Sequence, residues 1–191
     1  AEGVQPIIGT LLSVARPVPE GVEPPLDWLA LYAQDMRGYE NLCALVSKAH
    51  LDRPVEVPAH VPLSALEGCT DGLLALTAGG EGALARLFAE GQETAALAYA
   101  DKLEALFPGR LYVELCRRNE EIEQRAEAAL LDLAYDRNLP LVATNPCCFA
   151  DPDFHEAHDA MLCIASSSYV ASEDRQRSSP DLWMKPADTM R

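Results

Sequence analysis

The sequence predicts an α/β fold, with mostly parallel strands and surrounding helices arranged as a parallel sheet or a partial (β/α) barrel. Three observations carry this expectation. Short continuous apolar runs of strand length recur along the chain, as strands buried on both faces require. Between them lie longer stretches whose apolar residues fall at three- and four-residue steps, the mark of helices that bury one face. The two kinds alternate, and that alternation builds parallel sheets and β/α barrels. The 191 residues, 49% of them hydrophobic, suffice for one domain with its own core.

The elements follow in order. Pro6–Ala15 (PIIGTLLSVA) reads as a strand, and the proline-rich stretch 16–26 as a loop. Trp28–Ala33 reads as the next strand. A helix follows over Met36–His50, with Tyr39, Leu42, Cys43, Val46 and Ala49 on its buried face. After a second proline-rich loop, Leu63–Glu67 predicts a short helix and Gly72–Thr77 a strand ended by Ala78-Gly79-Gly80. Two helices are expected over Glu81–Glu90 and Glu93–Phe107, then a strand over Arg110–Arg117. Asn119 is the expected N-cap of a helix over Glu120–Arg137, whose acidic first turn suits the helix dipole. Its expected stripe is Ile122, Ala126, Ala129, Leu130 and Leu133, and Leu139–Thr144 is the last clear strand.

Charge narrows the function. With 30 acids against 15 bases the chain carries −15, so direct DNA binding is not expected of it, because gripping phosphates requires basic residues. Six cysteines without disulfide-like spacing point to a reducing, cytoplasmic compartment. No run of apolar residues is long enough to suggest a membrane span.

In folds of this class, chemistry belongs at the C-terminal ends of the strands. The segment after the last strand is richest in candidate ligands: Cys147, Cys148, Asp151, Asp153, His155, Glu156, His158 and Asp159. Thiolate and imidazole suit zinc. The adjacent Cys-Cys is not the spaced pair of a zinc site, and His155 and His158 stand at the start of a helix that Asp153 would cap, so a packed helix is the favoured reading. Asp27 precedes a strand instead of following one, which makes it a weak catalytic candidate. Glu114, among apolar strand neighbours, reads as a satisfied buried acid. Gly79-Gly80 with Gly82 reads as a plain turn, since it lacks the Lys and Ser/Thr of a phosphate-binding loop.

Several strings carry a resemblance. They are Gln5-Pro6-Ile7-Ile8-Gly9, Gly38-Tyr39-Glu40-Asn41-Leu42 running on to Val46–His50, Gly72–Thr77, Leu111–Leu115, Leu139–Asn145 and Ala157–Ile164. In this order, and across essentially the whole chain, they resemble the PHP (polymerase and histidinol phosphatase) domain of bacterial DNA polymerase III alpha subunits. The resemblance implies a partial (β/α) barrel of the PHP type over residues 1–180, with the family's N-terminal His-x-His segment expected upstream of Ala1. It implies that 181–191, with Trp183-Met184-Lys185-Pro186, begins the connection to the polymerase palm.

Metal-binding members of that family build a multinuclear centre from His, Asp, Glu and Cys at the strand ends. The acid after the first strand aligns with Leu11, and the histidine before the Gly38-Tyr39 helix aligns with Trp28. The family's Asn-Asp-x-His becomes Asn145-Pro146-Cys147-Cys148, with Pro146 in place of Asp and Cys148 in place of His, and Arg118 falls where some members carry His. Leu, Trp and Pro cannot ligate a metal, and a lone Cys148 does not make a centre that activates water. The resemblance therefore implies a degenerate, non-catalytic domain with no cofactor in this segment. The implied parent is a DNA-directed DNA polymerase (a nucleotidyltransferase) whose active site lies elsewhere. The implied role is a scaffold and docking surface, with the polymerase core of the same chain and the separate proofreading exonuclease subunit as partners. The alternative is a residual metal-dependent phosphoesterase or exonuclease using Cys148, Asp151, His155 and His158. The first strand is expected to leave an open sheet edge, which leads to self-association or to a disordered N-terminal region.

Overall fold

The computed structural model describes residues 3, 5–19 and 21–190. Six strands form one sheet: β1 (Gly9–Ala15), β2 (Leu26–Ala33), β3 (Val61–Pro62), β4 (Leu73–Leu76), β5 (Leu111–Leu115) and β6 (Leu141–Ala143). Their order is β3-β1-β2-β4-β5-β6. β2 is antiparallel to both of its neighbours, while β1–β3, β4–β5 and β5–β6 are parallel pairs. Five strands thus run one way and β2 alone is reversed, the mostly parallel partial barrel that the alternation predicts.

Five helices complete the fold: α1 (Met36–Leu51), α2 (Ala83–Ala89), α3 (Glu93–Leu106), α4 (Glu121–Asp136) and α5 (His155–Ala165). The sheet's outer face packs Leu12, Leu31, Leu73 and Val113 into one core with Leu45, Leu87, Phe107 and Leu130 from the helix side. Each such fully buried leucine contributes roughly 1.5–3 kcal/mol of transfer free energy. The opposite face, lined in part by Leu11, Ala30, Tyr32 and Glu114, is open enough to hold a cleft. No helix among the described residues is long and apolar enough to cross a membrane.

Several local expectations are corrected. The first strand begins at Gly9 rather than Pro6, because β2 ends at Ala33 and offers no further partner, although the Ala33 amide still donates to the Ile8 carbonyl at 2.8 Å. α1 is turned relative to its expected face: Gly38, Asn41, Leu42, Leu45 and Ala49 are buried, whereas Tyr39 and Cys43 are exposed. Two contacts from distant positions in the sequence turn it. A Cβ on Gly38 would lie 1.9 Å from the Gly72 carbonyl oxygen, so the helix sits directly on that turn. The Asn41 amide donates to the Asp71 carbonyl at 2.8 Å. Asn119 is not the N-cap of α4: it adopts φ +65°, Glu120 occupies the cap position, and the Asn119 side chain instead accepts from Gln124 Nε2 at 2.7 Å. Asp153 does not cap α5 either, since it lies inside the one-turn 3₁₀ helix Pro152–Phe154 that leads into it. The helix expected from Glu81 is a one-turn 3₁₀ helix, Gly79–Glu81, followed by α2.

On its outer side β1 meets β3 only at Val14 and Ala15, so Gly9–Ser13 has no strand on that edge among the described residues. The N-terminal Ala1, Glu2 and Val4, on which part of the disorder expectation falls, lie outside the described residues.

Candidate functional site

Alternation along a strand places every second side chain on the same face. Leu11 of β1 pairs with Ala30 of β2, which shares its face with Tyr32 and Trp28. Glu114 of β5 stands opposite Val142, one residue before the end of its strand, and Thr144 follows β6. Leu11, Ala30, Tyr32, Glu114 and Thr144, with Ala78, Glu81, Cys116, Arg118, Asn145 and Pro146, wall a cleft of about 230 Å³ at the strand ends.

At its floor, Thr144 Oγ1 donates to Glu114 Oε1. Cys116 Sγ lies 3.1 Å from the same hydroxyl, and because that hydroxyl's proton is committed to Glu114, the thiol is the donor to Thr144. Burial pushes the Cys116 thiol up. The Tyr32 phenol is also raised, by burial first and by the Glu114 charge second. The Glu114 amide donates to Thr77 Oγ1 at 2.9 Å. Glu114 is therefore only half satisfied, because Oε2 is buried without a hydrogen-bond partner among the described residues.

The rim is electrostatic. Arg118 donates through its amide to Glu123 Oε2 at 2.8 Å and through Nε to Glu123 Oε1 at 2.6 Å, and it reaches Glu81 at 3.6 Å. Burial alone would lower the guanidinium; the Glu123 hydrogen bond and charge outweigh it and raise Arg118 above its ordinary value. Gly79 and Gly80 are buried beneath this network, where added Cβ atoms would stand 2.8 Å from Cys116 Sγ and 2.9 Å from Glu123 Cγ. Crowding from Cys116, just after β5, and from α4 accounts for the glycines of this turn.

Of the five positions that the resemblance aligns with family ligands, Leu11, Arg118 and Pro146 come together on the cleft wall. Trp28 shares the face of β2 and bridges to Gly82 without lining the cleft. Cys148 is exposed and stands apart, its amide bonded to the Leu182 carbonyl at 2.8 Å. The alternative ligands do not converge. Asp151 is exposed. His155 Nε2 and His158 Nδ1 bond to the Ser178 carbonyl (2.9 Å) and hydroxyl (2.7 Å), and Phe149 lies against both rings. Asp159 completes this knot through Arg175 at 2.6 Å and the Ser178 amide at 2.9 Å, which together hold its carboxyl well below the usual range. Among the described residues no three His, Cys, Asp or Glu side chains are grouped to hold a metal ion. With an arginine on the wall and a protonated thiol at the floor, the cleft does not fit a multinuclear centre.

Asp27 is a structural residue. Its carboxylate receives two bonds from Arg16 (2.9 and 3.0 Å) and one from Arg86 (3.1 Å). Glu81, Glu123, Arg175 and Ser178 were not legible as site or anchor residues in the sequence, because each meets its partners only through the fold.

The PHP domain family model matches residues 1–118. The chain belongs to the PHP domain family. Among curated proteins, this PHP chain is 41% identical over 194 aligned residues to the DNA polymerase III subunit alpha of Caulobacter vibrioides, covering 99% of the chain and 17% of that protein. It is 30% identical to the subunit of the same description from Rickettsia bellii, again over 99% of the chain and 16% of the relative. It is 32% identical to an error-prone DNA polymerase of Symbiobacterium thermophilum, over 98% of the chain and 18% of that protein. The PHP chain thus spans less than a fifth of the length of these relatives.

Proposed function

We propose that this chain is the PHP segment of a DNA polymerase III alpha subunit and serves DNA replication without catalysing a reaction itself. It acts as a structural scaffold for the polymerase core of the same chain and as a docking surface for the proofreading exonuclease subunit. Residues 1–180 make the scaffold. The segment 181–191 begins the connection onward and is tethered to the domain where Phe149 bridges Trp183. What supports the non-catalytic reading is the cleft wall, where Leu11, Arg118 and Pro146, which the resemblance aligns with family ligands, come together. The near-complete coverage by alpha subunits supports the replicative setting.

Size-exclusion chromatography with light scattering, on the chain mixed with its cognate exonuclease subunit, tests the docking half. A stable complex is expected, and two separate peaks at micromolar concentration would sink it. Elemental analysis with a phosphate-ester hydrolysis assay tests the other half. Stoichiometric zinc or manganese, with hydrolysis lost in Cys148→Ala, would overturn the non-catalytic reading.

A further inference from the structure

The strand-end cleft pairs a buried acceptor with an excess of negative charge and apolar walls. Glu114 is only 9% exposed, and its Oε2 has no hydrogen-bond partner among the described residues although the side chain lines the cleft. Leaving such an oxygen unpaired in a buried site is costly, so a donor is expected to meet it. Around it, Glu81 and Glu114 line the cleft with the single guanidinium of Arg118, whose charge is already met by Glu123 at 2.6 Å, so the two lining carboxylates are in excess. Leu11, Ala30, Pro146 and the Tyr32 ring supply apolar walls. The volume of about 230 Å³ exceeds that of a few waters, at roughly 30 Å³ each, yet falls below the roughly 300 Å³ at which small-molecule pockets begin.

We propose that this cleft takes up one primary alkylammonium group, presented by a lysine side chain or by a free aliphatic amine. An ammonium brings three donors and no acceptor. One donor satisfies Glu114 Oε2, and the Glu81 carboxylate on the rim offers a second acceptor. The methylene stem lies along the apolar wall, as lysine stems do elsewhere. An anion would face the uncompensated carboxylates. A metal ion would lack a ligand set, since no three suitable side chains are grouped among the described residues. The net charge of −15 draws cations toward the surface.

The test is a ¹H–¹⁵N titration of the 191-residue chain at constant ionic strength. One arm uses n-butylammonium, one a blocked lysine amide, and one n-butanol as the neutral isostere. Saturable shifts at the Leu11, Glu114, Thr144 and Asn145 amides are expected with both cations and not with butanol. Saturation with butylammonium alone would assign the site to free amines. Glu114→Gln is expected to weaken binding by roughly tenfold or more, the weight of a charge-assisted hydrogen bond. Leu11→Trp, at an exposed position on the cleft wall, is expected to block entry and carries the test if the glutamine variant does not fold. Equal shifts with butanol would overturn the proposal. So would unsaturable shifts spread over the acidic surface, or a folded Glu114→Gln chain that binds unchanged.

Discussion

Replacing Asp27 by alanine removes the acceptor shared by Arg16 and Arg86. The Asp27 side chain is 1% exposed and the Arg16 side chain 11%, so the variant leaves a guanidinium in a site from which water is largely excluded. Arg86, at 34% exposure, recovers solvent more readily and contributes less. Removing one partner of a buried ion pair costs about 3–5 kcal/mol, because the remaining charge stays desolvated. At about 2.1 cal/mol/K of unfolding entropy per residue, a chain of this length loses about 8–12 °C of Tm for that change. Circular dichroism melts and urea titrations of the single variants measure it. The double variant Asp27→Leu/Arg16→Met, which removes both charges, is expected to recover part of the loss. A drop in Tm below about 2 °C for Asp27→Ala would refute the reasoning, as would strict additivity of the two sites.

Gly38→Ala places a Cβ 1.9 Å from the Gly72 carbonyl oxygen, so α1 must move off the turn. A loss of about 1–3 kcal/mol is expected by urea denaturation, and an unchanged midpoint would show that the contact is slack. Asp159 is depressed by Arg175 and the Ser178 amide, so its stabilisation is present above the unfolded carboxyl pKa of about 3.9 and is lost as pH falls through the lower folded value. Asp159→Asn should therefore lower stability at neutral pH and flatten the decline in acid, and acid titrations identical to those of the parent would contradict this. The bond from the Ala33 amide to the Ile8 carbonyl sets the hydrogen-bonding pairs of β1 and β2 at even residues of β1, which turns the Leu11 amide outward. If that edge drives self-association, sedimentation equilibrium will show concentration-dependent dimers that Leu11→Pro abolishes. A parent chain monomeric at high concentration would remove the edge from consideration.

Apolar runs and helical spacing made nearly every element legible, because burial is written locally into the sequence. Direction and facing are not. β2 looks like any other buried strand, yet it runs against its neighbours, so its start lies at the rim where the parallel strands end. Asp27, expected before the strand, lies inside β2 at that rim, but on the face opposite Trp28 and Ala30, so it clamps Arg16 and Arg86 and does not line the cleft. The face of α1 departs from its apolar spacing because Gly38 and Asn41 are fixed by Gly72 and Asp71, more than 30 positions away for Gly38 and 30 for Asn41. In the site, Leu11, Arg118 and Pro146 were legible only through the family pattern. The partners of Arg118 were not, since Glu81 lies on another element and Glu123 looks like one more acid in a helix's first turn. His155 and His158 resemble ligands in one dimension, and Ser178 claims both once the chain folds back.

The Asp27 clamp also bears on the order of assembly. Arg16 and Asp27 are 11 residues apart and join the two ends of the β1–β2 connection, a short loop with a small closure entropy. β3 must instead bring Val61 back to Val14 across the whole of α1, and it gains only two residues of pairing there. A nucleus formed by the clamped hairpin, with β3 arriving after the transition state, follows from this contrast. High φ-values at Leu31 and low ones at Val61 would report that sequence of events, and the opposite pattern would exclude it.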